Sequence, residues 1–544
     1  MSVPHRAELL MPAGTLDRLQ TAVLYGADAV YAGTPDLSLR TQSTFSLDDL
    51  ETGLAFAHAR GCRVYLTLNL FTHNKDIARL EEMVQTVRAL APDGVIVADP
   101  GVFQYVKQQL PGVPLHVSTQ ANVASWLTVK FWQDLGAQLC VLAREVSFAE
   151  LTEIRERCPD IRLETFVHGS MCMTYSGRCL LSNYMAERGA NQGNCAQSCR
   201  WKYKVKLRLK DGQSKELVID ETNQHLFDFL LEEEFRPGEL MEIEEDDHGS
   251  YILNAKDLCL MPRLPELLRV GVDTLKVEGR NKSPFYAAIV ARAYRKAIDD
   301  WYADPDAWTP EPYMKELSTV ASRGYTLGFH DGRLTEHAHD YDEARSTSEW
   351  MFAGFVRAWE GEDLVFELRN FLRAGDVLEF VPCLTPAYPE LDTIRIRLYD
   401  FTDAETGEVT SQVSAGQAKA IRIPASAFHA EDQAALRERL PALAVARRET
   451  PVDDPTRWPT KTRRLSMQVE LGEVAEERYR EGAERNREQA TVVKPRRKPK
   501  HGTESCCGRG CNGCLMFWHD ERFEDARLRM EDQLGRRLPK PERG

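Results

Sequence analysis

Between residues 8 and 170 the chain repeats one phrase: a short apolar run of strand character, then a segment whose apolar residues return every three or four positions. The runs are ELLMPAG (8–14), DAVYAG (28–33), VYLTLNL (64–70), GVIVAD (94–99), PLHVSTQ (114–120), QLCVLARE (138–145) and RLETFVHG (162–169). Between them, Leu16, Leu19 and Val23 mark one helical face, and Ile77, Leu80, Val84 and Val87 another. Ser46 followed by Asp49 has the make-up of a capping pair ahead of Leu47, Leu50 and Leu54. An eighth run, DTLKVEG (273–279), comes after a long interruption and leads into the helical stretch FYAAIVARAYRKAIDDW. Eight such units close into an α/β fold, a TIM-like (β/α)8 barrel; an open doubly wound sheet shows the same alternation and is the competing architecture.

Both architectures put their chemistry at the carboxyl ends of the strands. That rule selects Asn69, Asp99, Gln120, Arg144, Glu145, His168, Glu278 and Arg280. Of these, His168, Glu145 and Glu278 are the catalytic candidates. Asn69, Gln120, Arg144 and Arg280, joined by Lys282, are the substrate-binding candidates, since guanidinium forks suit carboxylates and phosphates. The structural alternatives are plain: the two glutamates pair with neighbouring arginines, and His168 is a satisfied interior histidine.

The domain plan follows from where the phrase stops. The first part of the barrel spans 1–202, a β insertion with alternating YKVKLRLKDG spans 203–255, and the barrel resumes over 256–345. Short β-runs separated by Gly and Asp turns then predict a small β-barrel domain over 346–450. A charged linker follows over 451–503, containing KPRRKPK, and a Cys-rich tail over 504–544. No run of 18 apolar residues exists and the start lacks a signal-peptide pattern, so the expectation is a cytoplasmic protein with no membrane partner. A formal net charge of −14 argues against indiscriminate nucleic-acid binding but leaves room for a local basic groove.

Directly after the seventh run, Cys172, Cys179, Cys195 and Cys199 fall within 28 residues, among Gly, Ser, Asn and Arg. In a reducing compartment thirteen cysteines favour metal or redox use over disulfides. The spacing C-x6-C-x15-C-x3-C lacks the paired C-x2-C of zinc ribbons, which lowers zinc without removing it, and iron-sulfur clusters accept widely spread thiolates. His168, four residues before Cys172, leaves a Cys–His nucleophile as the third reading, although one nucleophile does not employ four cysteines. Cys506, Cys507, Cys511 and Cys514 in the tail make a candidate second metal site, against a redox-reactive tail without metal.

FVHGSMCMTYSGRCLLSNY closely resembles the signature of the collagenase-like peptidase family, the thirty-second of the unknown-mechanism U group. NQGNCAQSCRWKY, the stretch from NAKDLCLMPRL through VEGRNKSPFYAA, and the opening ELLMPAGTLDRLQTAVLYGADAVYAG resemble its tRNA hydroxylation branch. The resemblance covers roughly residues 7 to 450. It implies a barrel with a small C-terminal β-domain, a four-iron cluster, and prephenate-dependent conversion of the wobble uridine of tRNA to 5-hydroxyuridine. It further implies Cys172, Cys179 and Cys195 as cluster ligands, with the fourth place falling to Cys199 or, through the KDLC motif, to Cys259. The implied partners are the tRNA anticodon loop and an electron donor. The other functions in view are a peptidase, a ribosomal RNA or quinone-precursor hydroxylase of the same family, and a cluster-bearing assembly protein without catalysis.

Overall fold

The computed structural model describes residues 6–34, 45–69, 72–171, 256–331, 348–399, 401–414 and 419–449, together with the backbone of short strands between 206 and 251. Its first sheet is built from β1 (Glu8–Ala13), β2 (Ala29–Gly33), β3 (Arg63–Leu68), β4 (Gly94–Val97), β5 (Leu115–Val117), β6 (Leu139–Val141) and β7 (Arg162–Gly169). After the insertion come β8 (Asp257–Cys259) and β9 (Thr274–Val277). Strands β1 to β7 pair in parallel in sequence order, and β9 pairs in parallel with both β1 and β7, which closes an eight-stranded barrel. The open-sheet alternative is thereby removed.

Helices cover the outside: α1 (Leu16–Leu24), α2 (Leu47–His58), α3 (Ile77–Leu90), α4 (Pro100–Gln109), α5 (Trp126–Asp134), α6 (Phe148–Arg157), α7 (Leu264–Val270), α8 (Pro284–Ala303) and α9 (Glu311–Leu317). Their starts are written into the sequence. Ser46 and Asp49 form the expected capping box, Ser147 and Glu150 form another, and Ser283 caps α8 with Pro284 in its first turn. Asp99, a strand-end candidate, accepts from the backbone N–H groups of Gly101 and Val102 at 2.7 and 3.1 Å, so it is the cap of α4.

The alternation of strand side chains divides the core in two. Leu9, Met11, Val30, Val64, Val95, Val117 and Leu163 pack outward with the helices, whereas Leu10, Ala29, Tyr31, Tyr65 and Ile96 form a separate cluster inside the barrel. Charged groups share that interior. At the amino end, buried Glu8 accepts from Tyr65 Oη at 3.1 Å and is paired with Arg63 and Arg162. Burial raises the Glu8 pKa and lowers that of neighbouring His116 to about 3.

β8 is no barrel strand. It runs antiparallel to the end of β7, with Leu258 opposite Gly169 and Cys259 opposite His168. Within the insertion, three antiparallel pairs join Lys206–Arg208 to Glu216–Val218, Leu230–Glu232 to Leu240–Glu242, and Glu244–Asp246 to Gly249–Tyr251.

The C-terminal β-domain is an antiparallel sheet of eight strands around its own core of Val356, Leu364, Phe366, Leu378, Phe380 and Ile421. It is tied to the barrel through buried polar contacts. Tyr25 Oη, at the end of α1, donates to the Val381 carbonyl at 2.6 Å and accepts from Val445 N at 2.9 Å. Arg292 of α8, fully buried, bonds Glu316 at 3.0 Å and the carbonyl of Asp392 at 2.6 Å, while Arg447 reaches Glu379 at 2.6 Å and Thr319 at 2.7 Å.

Candidate active site at the carboxyl mouth of the barrel

The strand-end residues converge on the mouth. Arg144, which follows β6, is 8% exposed, and its guanidinium carbon lies 3.9 Å from the centroid of Phe166 on β7. Nη2 stands 3.5 Å from the carboxylate of Glu278, which follows β9. Arg280, equally buried, donates from Nη1 to Thr67 Oγ1 at 3.3 Å and lies 5.6 Å from the Tyr31 ring; its carbonyl accepts from Arg18 at 2.9 Å. Gly14 makes that approach feasible, because a Cβ there would overlap the Arg280 carbonyl. Lys282 sits 5.4 Å from the ring of Tyr286. Asn69 ends β3 and Gln120 lies in the turn after β5, both buried, and Glu145 is half-buried beside Arg144.

His168 stands apart from the arginines in character. It is 2% exposed, ringed by Tyr286, Tyr294 and Tyr325 at 5.4 to 5.9 Å, and burial pushes its pKa down to about 4. It is therefore a neutral imidazole at physiological pH. Opposite it, the Cys259 thiol is buried 3.9 Å from Tyr294 Oη and 3.8 Å from the Met314 sulfur, and burial raises its pKa to about 11. Cys172, Cys179, Cys195 and Cys199, with Cys506, Cys507, Cys511 and Cys514, lie outside the described residues. Among the described residues no group of three or more His, Cys, Asp or Glu side chains is placed to hold a metal ion. Nor is any helix among them long and apolar enough to cross a membrane.

Four participants at the mouth escaped the strand-end rule: Thr67, Phe166, Glu164 and Lys276. Each is an inward position within a strand: Thr67 and Lys276 stand one residue before their strands end, Phe166 three and Glu164 five. The one signal the sequence offers is a charge inside an apolar strand, Lys276 between Leu275 and Val277, which does not say on which face the side chain lies. A hollow of about 410 Å³ lined by Arg6, Glu8, Asp28 and Arg63 opens at the opposite, amino-terminal end, the face that serves stability in such barrels.

A closed parallel barrel with a buried cluster of cations and carboxylates at its carboxyl mouth has the layout of the TIM-barrel enzymes. The model of Peptidase family U32 matches residues 14–340, and the chain belongs to this family. It is 40% identical over 396 residues to the tRNA hydroxylation protein P of Escherichia coli (strain K12), spanning 69% of this chain and 86% of that one. It is 31% identical over 377 residues to a 23S rRNA 5-hydroxycytidine synthase of the same organism, covering 69% of this chain and 49% of the relative. A collagenase of Porphyromonas gingivalis (strain ATCC BAA-308 / W83) is 29% identical over 361 residues, 64% of this chain and 79% of the relative.

Proposed function

We propose that this protein is a tRNA-modifying hydroxylase, which converts the wobble uridine to 5-hydroxyuridine with prephenate as co-substrate. The observation that carries the reading is the 40% identity to a tRNA hydroxylation protein across 86% of that protein's length. The mouth supports it chemically. Arg144 and Arg280 are buried guanidinium groups on aromatic walls, a setting that strengthens their hold on a carboxylate. A wobble base, in a single-stranded loop, is free to be turned out of its stack toward such a mouth. Glu278 and Glu145 are the carboxylates beside it, Asn69 and Gln120 the amides that read base edges, and Lys282 the rim cation.

An iron-sulfur cluster belongs to the same proposal. Its ligands are Cys172, Cys179 and Cys195, with Cys199 or Cys259 in the fourth place. The donor set is all sulfur, and the pairing of β8 with β7 sets the Cys259 backbone opposite His168, four residues ahead of Cys172. Held there, a four-iron cluster supplies electron transfer, or a Lewis-acid iron where one site lacks a thiolate. Cys506, Cys507, Cys511 and Cys514 are proposed as a second metal site. The cytoplasm, where tRNA and an electron donor are both at hand, is the compartment this function requires.

The test is a mass-spectrometric inventory of tRNA nucleosides from cells lacking the gene. Loss of 5-hydroxyuridine, restored by this chain, is expected. Unchanged 5-hydroxyuridine together with impaired turnover of a protein substrate would replace the reading with a peptidase.

A further inference from the structure

Below the mouth the inside of the barrel is charged, where barrels of this type are filled by branched aliphatic side chains. Lys276 on β9 is 5% exposed and Glu164 on β7 wholly buried, with Nζ and Oε1 2.6 Å apart. Such a pair is a poor source of stability, because desolvating both charges offsets most of their attraction and apolar side chains of similar size would serve as well. Its hydrogen-bonding capacity is also only partly used. Glu164 Oε2 is buried without a partner, and of the three N–H groups of the ammonium one goes to Glu164. Nζ also lies 4.3 Å from the Tyr31 ring and 5.7 Å from that of Phe166, and its charge is felt by buried His116.

Phe166 also carries the guanidinium of Arg144, whose Nε is likewise buried without a partner. One aromatic wall therefore bears a cation at the rim and another on the floor. Lys276 and Glu278 are two residues apart along the chain, about 7 Å in a strand, and Glu164 rises to Lys276 from a backbone position opposite Thr274, two residues lower again.

A ligand group that accepts from the ammonium and donates to the free carboxylate oxygen completes both residues at once. A hydroxyl does this. A carboxylate has no proton to give and is repelled by Glu164, and an apolar group leaves both needs unmet. We propose that Lys276 and Glu164 bind the hydroxyl end of the small co-substrate whose carboxylate end Arg144 and Arg280 hold above. The assignment rests on the proposed function for the identity of the co-substrate, and prephenate has this polarity, two carboxylates on one side of its ring and a hydroxyl across it.

The test uses 4-hydroxyphenylpyruvate and phenylpyruvate, which differ by one hydroxyl, alongside prephenate, in calorimetric titrations of the full chain. The native protein is expected to bind the hydroxylated acid at least about tenfold tighter. The Lys276→Met/Glu164→Gln double variant is expected to bring the ratio below about twofold, whereas Arg144→Ala weakens both acids alike. Thermal melting controls for folding; Glu164→Gln alone keeps the size of the side chain and serves if the double variant melts early. A ratio that survives the substitutions, or a native protein that does not discriminate or binds none of the three acids, overturns the floor site. Discrimination that behaves as expected while prephenate itself fails to bind removes the choice of co-substrate and leaves the floor site standing.

Discussion

Arg144 and Glu278 come from strand ends on either side of β7 and meet across it, Nη2 to carboxylate, at 3.5 Å. At that distance the contact is an ion pair with little hydrogen-bond character. The guanidinium is held chiefly by its aromatic wall, and its fork stays open to a carboxylate. Arg144→Lys keeps the charge and loses the planar fork. On the proposed reaction, kcat/KM is expected to drop about 10- to 100-fold, mostly through KM for the small acid, with an unchanged melting temperature. Steady-state rates against acid concentration check it; a loss confined to kcat would contradict a binding role.

Gly169 ends β7 at φ +115°, and a Cβ there would overlap the carbonyl of Glu278. The two strand ends are joined at this level by Glu278 N donating to the His168 carbonyl at 2.8 Å. Gly169→Ala is expected to cost about 2 kcal/mol or more and to disturb the mouth as well, so urea melts and acid binding should both suffer. Normal binding in a destabilised protein would show that strain alone is at work.

Acid should weaken the fold before the carboxylates titrate. The pKa values of His168 and His330 are lowered to about 4 and that of His116 to about 3, each chiefly by burial. Between about pH 6.5 and those values the unfolded chain binds protons that the folded chain does not, so stability falls with falling pH across that window. Each of the first two contributes on the order of 3 kcal/mol at pH 4. Glu8, whose pKa burial raises above the ordinary carboxylate value, works in the opposite sense within the same window. Denaturant midpoints measured from pH 8 to pH 4 should show the slope, and a flat profile would remove it.

His330 isolates that effect. It packs 5.1 Å from Phe148, and neither ring nitrogen has a hydrogen-bond partner. His330→Leu removes two unsatisfied polar atoms at similar volume, so it is expected to stabilise by about 1 kcal/mol at neutral pH and to reduce the acid slope.

The joint between barrel and β-domain has its own probe. Tyr25→Phe deletes the hydroxyl shared by Val381 and Val445 and leaves a buried carbonyl and N–H unpaired. A loss of about 1–3 kcal/mol is expected. A tryptophan signal from Trp359, partly buried against the β-domain core, should shift together with the global helical signal; a shift confined to one of them would mean that the domains unfold separately.

The barrel was legible because helices and strands have different periods, and Ser46 with Asp49 marked a helix start that the structure reproduces. The mouth was legible because closure gathers strand ends, so Arg144, Glu278 and Arg280 could be picked without knowing which strands are neighbours. The floor was not. In a parallel strand both faces are buried, so alternation carries no hydrophobic contrast, and Lys276 between Leu275 and Val277 does not declare which side it takes. Asp99 shows the rule's opposite fault, since a strand end is also a helix start and a capping aspartate has the same address as a catalytic one.

Because Leu258 returns to the position beside Gly169, the chain comes back after the insertion to the end of β7 from which it left. The two ends of the intervening stretch therefore lie side by side, and the entropy of holding such ends together grows only with the logarithm of the length between them. To the barrel, a long excursion and a short one present the same doorway. A change in the length of that stretch therefore costs the barrel little entropy.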